Sequence, residues 1–124
     1  MLPDEDRVCL RHMLDAANSA LEFATGRSRD DLGKDRMLAF ALVRALEVVG
    51  EAAGQVTDAT RDALPRVPWR SIVGMRNRLL HAYFEVDLDR VWDTTTHYVP
   101  ELAKQLKAVL EPQSPDGPDA KPDA

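Results

Sequence analysis

The chain has 124 residues, 44% of them apolar and 30% charged, with a net charge of −5 and one cysteine. That is ordinary for a soluble globular protein, and the length supports one core rather than two. The acidic balance argues against a protein that coats nucleic acid over its whole surface, but it leaves room for a local basic site.

The lone Cys9 forbids an internal disulfide and suits a reducing compartment. Its place in a helical pattern makes it a small buried hydrophobe rather than a nucleophile. No apolar run approaches the roughly 18 residues of a membrane span. The acidic start MLPDEDRV lacks a signal peptide's positive region, so the sequence reads as cytoplasmic, without a membrane partner.

Asp4 to about Ala24 is predicted as a first helix, with Val8, Leu14, Ala17 and Leu21 near helical spacing and Leu10 and Met13 widening the stripe. Asp4, Glu5 and Asp6 suit the positive end of its dipole, and Thr25-Gly26 closes it. Ser28 followed by Asp31 resembles a capping box and predicts a brief helical turn within Arg27–Lys34. A second main helix runs from about Asp35 to Val56. Leu38, Leu42, Ala45, Val49, Ala52 and Val56 mark one face, extended by Phe40, Val43, Leu46 and Ala53. A helix this apolar is expected to pack on two sides, on its own core and on a partner helix.

Thr57 to Pro68 reads as a loop, with Pro68 as the first residue of a third helix that carries Trp69, Ile72, Val73, Leu79 and Leu80 inward and ends near Phe84. Asp87 is placed to cap a fourth helix from Leu88, whose buried face is Val91, Trp92, Thr95, Val99, Leu102, Leu106 and Val109. Pro100 falls inside that pattern and should kink or break it. There is no β-period and no repeat, so the expected fold is all-α, an antiparallel bundle of four to five helices over residues 1–111. The Pro- and Asp-rich tail, 112–124, is expected to be disordered.

Between Ala63 and Phe84 stand Arg66, Arg70, Arg76 and Arg78, with no Asp or Glu. A local positive field on a net-negative chain points to a phosphate-bearing partner or a salt-bridging protein surface. His12, His81 and His97 are far apart, with no His-x-x-x-His or cysteine pair, so neither a metal nor another cofactor is expected. There is no Gly-rich phosphate loop and no Gly-x-Ser-x-Gly elbow. What remains is Arg76-Asn77-Arg78-Leu79-Leu80-His81-Ala82-Tyr83.

Arginine holds a phosphate and stabilises the charge that builds on it, and histidine moves protons near neutral pH. Together they suffice for RNA cleavage by the ribose 2′-hydroxyl, which wants both a base and an acid. A two-fold dimer would supply two histidines. At about 100° per residue, Arg76 and Tyr83 share a face while His81 lies roughly 140° from Arg76, so either the helix unwinds near His81 or the site forms across a dimer seam. Each residue also has a structural reading: His81 complementing the helix dipole, Tyr83 in the core, and Arg76 paired with Glu47 or Glu51. Those two glutamates project together at i, i+4, either as exposed charges or as acids that orient an arginine of the third helix.

The stretch MRNRLLHAYFEVDLDRVWDTTTHYVPEL resembles the signature region of HepT toxins, within the HEPN superfamily of helical ribonucleases. The family's pattern of Arg, four residues, His, one residue, Tyr falls on Arg76, His81 and Tyr83, with Asn77 as its polar neighbour. ALEVVGEAAGQV resembles the family's second-helix stretch, with Glu47 and Glu51 at its acidic positions. The resemblance covers about residues 37–110. It implies a homodimeric, metal-independent endoribonuclease toxin acting on mRNA or tRNA, with Arg76 and His81 catalytic and Asn77, Glu47 and Glu51 auxiliary. Arg70 and Arg78 are expected to bind RNA. It also implies a minimal nucleotidyltransferase antitoxin, MntA, that neutralises the toxin by transferring AMP from ATP to Tyr83; phosphate beside Arg76 would occupy the anion site.

A second reading makes the chain a non-catalytic, helical, substrate-presenting subunit of a nucleotidyltransferase. A helical DNA-binding dimer is the weaker third, because no recognition-helix pattern is evident.

Overall fold

Three acids in the first turn of α1 (Asp4–Ala24) face the positive end of its dipole, and the Arg7 amide bonds back to the Pro3 carbonyl. The computed structural model describes residues 2–81 and 87–111, and of Arg76, Leu79, Leu80 and His81 only the backbone. The predicted disorder of the tail, 112–124, lies outside the described residues, as does Tyr83. The buried stripe of α1 is Leu10, Met13, Leu14, Ala17 and Ala20. Val8, expected inside, is instead exposed, and the buried residue of that turn is Asp6.

The short α2 (Arg29–Lys34) begins with the expected capping box: the Ser28 amide donates to the Asp31 carboxylate at 2.8 Å. Asp35 then caps α3 (Arg36–Gly54), accepting from the Leu38 amide at 3.1 Å. Leu42, Leu46, Val49 and Ala53 of α3 are buried, while Met37 and Phe40 are 82% and 65% exposed, the centre of the Phe40 ring lying 5.5 Å from the Arg36 guanidinium.

The expected loop 57–68 contains a helix, α4 (Asp58–Ala63). It is too short to show periodicity, and its start is held from elsewhere in the chain. The Asp6 carboxylate accepts from the Thr57 amide at 3.1 Å, from the Thr57 hydroxyl at 2.6 Å and from the Thr60 hydroxyl. These bonds hold the Asp6 carboxyl below the usual carboxylate range, the Thr57 hydroxyl having the largest effect.

α5 spans Trp69–His81. Pro68 stands just before it and supplies the carbonyl that receives the Ile72 amide. Asp87 caps α6 (Leu88–Asp93) as expected, accepting from the Arg90 amide at 3.1 Å.

The break foreseen at Pro100 takes the form of a π turn, Thr94–Tyr98, leading into α7 (Val99–Leu110) with Pro100 in its first turn. Proline has no amide proton for the carbonyl four residues back, and its ring crowds that carbonyl. Widening the preceding turn relieves both, and the Val99 amide reaches the Thr94 carbonyl. Thr95, fully buried, and Thr96 bond back to the Val91 and Trp92 carbonyls at 2.9 and 2.8 Å.

The long helices pack in the order α5, α3, α1, α7. Asp6, at the start of α1, meets Thr57, just past the end of α3, and Arg7 reaches the carbonyl of Leu110 at the end of α7, so neighbours run antiparallel. All described elements are helical, and none is long and apolar enough to cross a membrane. The remaining seam, between α5 and α7, is joined by Gln105 donating to the Arg66 carbonyl at 3.4 Å and otherwise opens into a cleft.

Candidate nucleic-acid interface

α5 carries the arginines, so the groups that anchor it decide where they point. Trp69 is buried and its indole N–H donates to the Leu64 carbonyl at 3.1 Å. The Arg61 guanidinium lies 5.8 Å from the centre of the Trp69 ring and donates to the Ala53 and Val56 carbonyls at 2.9 and 3.1 Å. One arginine thus donates to carbonyls at and just past the end of α3 and stacks on the first residue of α5. Sequence reasoning did not single out Arg61, because carbonyl partners leave no residue signature. Ile72 and Met75 then seat α5 on the core.

α5 contains no acid. Arg27 and Arg44 pair with carboxylates, Arg27 with Asp31 and Asp35, and Arg44 with Glu47. Arg29 pairs with Asp89. By contrast, Arg66, Arg70 and Arg78 form no ion pair among the described residues.

The expected RNA-binding residues Arg70 and Arg78 fall on different sides of the helix. Arg70 and Asn77 line a groove of about 640 Å³ against α4, together with Arg61, Asp62, Trp69 and Gly74. Arg78 faces the cleft, of about 770 Å³, that α5 makes with α6, the π turn and α7. Buried Leu46 and Val49 of α3 lie among the cleft's lining, which also mixes Arg66, Arg78 and Arg90 with Asp87, Asp93 and Glu101. His97 stands there too, its Nδ1 3.6 Å from an Asp93 oxygen and 3.1 Å from the Thr96 hydroxyl.

Positions 76 and 81 both lie within α5, whose backbone is α-helical through His81. They are therefore about 140° apart around it, and the alternative of an unwound helix does not arise up to that point. Glu47 is an i, i+3 neighbour of Arg44, with an N–O separation of 3.6 Å, and Glu51 is exposed. Cys9 is partly buried against the core, its sulfur 4.0 Å from the Gln55 side-chain oxygen. Burial, with Asp6 and Glu5 adding to it, pushes its thiol up, which suits packing rather than reactivity. Among the described residues no group of three His, Cys, Asp or Glu side chains is arranged to hold a metal ion.

Comparison with known proteins adds what the side-chain geometry leaves open. A "Putative RNase" of Caldanaerobacter subterraneus subsp. tengcongensis is 39% identical over 105 residues, covering 85% of this chain and 94% of its own length. A "Putative RNase" of Methanocaldococcus jannaschii is 34% identical over 100 residues, 81% of this chain and 92% of that one. A "Probable ribonuclease HepT" of Thermococcus cleftensis is 34% identical over 93 residues, 75% and 84% of the two chains. No solved structure matches the chain significantly. Residues 13–109, from the middle of α1 almost to the end of α7, match the family described as Ribonuclease HepT-like, and the chain belongs to that family.

Proposed function

We propose that the chain is an endoribonuclease toxin that cuts RNA without a metal ion, using Arg76 and His81, and that works as a homodimer. The observation that carries this reading is that the acid-free helix α5, with Arg76 and His81 in it, lies within the region matched to the HepT-like ribonuclease family.

In the proposed reaction the ribose 2′-hydroxyl attacks the adjacent phosphorus and gives its proton to a histidine. A second, protonated group returns a proton to the departing 5′-oxygen, leaving a 2′,3′-cyclic phosphate and a 5′-hydroxyl. Arg76 binds the phosphate oxygens and stabilises the added charge of the transition state. Because positions 76 and 81 diverge by about 140°, one phosphate is best served by Arg76 and His81 from two copies of α5. The exposed Met37 and Phe40 on α3, the helix α5 packs on, support such a pairing. Asn77, Glu47 and Glu51 are auxiliary in this reading. Tyr83 is where a nucleotidyltransferase antitoxin of the MntA kind would add AMP, placing a negative group beside the arginine and repelling RNA. RNA, the second copy and that antitoxin are thus the partners, and the cytoplasm is the compartment.

The test is cleavage of RNA by unmodified protein, its intact mass checked for AMP, with EDTA present. Wild type is expected to yield cyclic phosphate ends. Arg76→Ala and His81→Ala are each expected to lose about a hundredfold or more in rate. If RNA stays intact, or His81→Ala cuts like wild type, the chain is a binding subunit of the nucleotidyltransferase instead.

A further inference from the structure

Positions 70, 74, 77 and 81 of α5 follow the spacing i, i+4, i+7, i+11, a single line along a helix. Arg70 stands at one end of that line, in the groove against α4. The proposed catalytic histidine holds the other end, about 16 Å away along the axis. Between them Gly74 leaves a notch: a Cβ placed there would meet nothing closer than the Arg78 side chain at 3.5 Å. A backbone can approach a helix closely at such a point.

Of the groove's two arginines, Arg61 is committed to the α3 carbonyls and the Trp69 ring. Arg70 is exposed and forms no ion pair among the described residues. The groove's one acid, Asp62, is exposed on the α4 side. An entering phosphate is thereby drawn to the α5 wall and away from α4.

We propose that this groove is a binding subsite for single-stranded RNA. It takes a phosphate and ribose a few nucleotides from the bond that is cut, with Arg70 as the phosphate ligand and the strand passing over Gly74 towards position 81. The proposal rests on the ribonuclease reading and deepens it: the groove selects strands long enough to reach from Arg70 to the reacting phosphate. A single strand is the occupant that can follow the line from Arg70 over Gly74 with its backbone close to α5.

The experiment compares wild type, Arg70→Ala, Asp62→Asn and the control Arg11→Ala, an exposed arginine on α1. Binding is measured by anisotropy on an oligoribonucleotide of about ten nucleotides carrying 2′-deoxyribose at the cut position, so that it cannot be cleaved. Turnover is measured on the all-ribose oligonucleotide and on a dinucleoside monophosphate, too short to span the line. Arg70→Ala is expected to weaken oligonucleotide binding about ten- to a hundredfold and to reduce the log–log salt slope by about 0.7. It should raise KM on the oligonucleotide by a larger factor than it changes kcat or the turnover of the dinucleotide. Asp62→Asn is expected to tighten binding. The proposal is overturned if Arg70→Ala binds the oligonucleotide like wild type, if Arg11→Ala weakens it equally, or if a bound nucleotidyltransferase rather than RNA is what Arg70→Ala loses. Failure of the ribonuclease reading looks different, since no substrate of any length is then cut by wild type.

Discussion

Two glycines show how much a single missing side chain can mean. Gly26, just past α1, has φ of +75°, a left-handed conformation in which a Cβ crowds the carbonyl. Among the described residues nothing lies within 4 Å of the place its Cβ would take, so an alanine there suffers from backbone strain alone. Gly26→Ala is expected to cost about 1–2 kcal/mol in urea denaturation. Gly74 is the opposite case: it sits in the interior of α5 with ordinary helical geometry and room for a methyl group. Gly74→Ala is expected to stabilise the protein by about 0.5–1 kcal/mol in the same assay, yet to weaken RNA binding by narrowing the notch. A gain in stability with no loss of RNA affinity would argue against the strand path over α5.

The junction of α2 and α3 shows how elements are fixed by carboxylates. Arg27 spans Asp31 and Asp35, at 3.4 and 2.9 Å, and each of those acids also receives the backbone of the helix it caps. Both carboxyls are held below their ordinary value, Asp31 chiefly by the Ser28 amide and Asp35 chiefly by Arg27. Asp6 at the head of α4 behaves the same way. A carboxylate whose pKa falls on folding contributes fully above its unfolded value, about 3.9, and its contribution is lost as pH falls through the lower folded value. Thermal stability set by these groups is therefore expected to be level from neutral pH down to about 5 and to decline below about 4. Asp6→Asn should flatten the decline. A wild-type melting temperature that does not fall in acid would refute the role given to these caps.

At the scale of the whole molecule, the sequence showed most clearly what is decided locally. The Ser28–Asp31 box, the Asp87 cap and the break at Pro100 each depend on a few neighbouring residues, and each stands in the structure where the pattern put it. Features that depend on distant parts of the chain were not legible. Val8 fits a helical stripe by spacing, but the bundle turns Asp6 inward in its place, because an acid at that point can serve a helix fifty residues away. The same limit applies to the site. Residue chemistry and the family resemblance picked out Arg76, His81 and Tyr83, and both Arg70 and Arg78 were expected to bind RNA. The positions of α4 on one flank of α5 and of the α6–α7 cleft on the other divide those two arginines between a groove and a cleft.

The link from Asp6 to α4 also sets an order of events. A six-residue helix has little stability of its own, and the hydroxyl of its N-cap residue Thr57 bonds most closely to Asp6, at 2.6 Å, with Thr60 of its own first turn at 3.4 Å. α4 is thereby tied to the first turn of α1, and its stability is expected to follow the docking of that turn. In hydrogen exchange, the amides of residues 58–63 should open together with those at the start of α1 and more readily than those of α3, and Asp6→Ala should bring their exchange close to the unfolded rate. Because Arg61 rides on α4 and steadies Trp69, each such opening also loosens the foot of α5. Fraying at the beginning of the chain would then be felt as motion in the helix that carries Arg76 and His81.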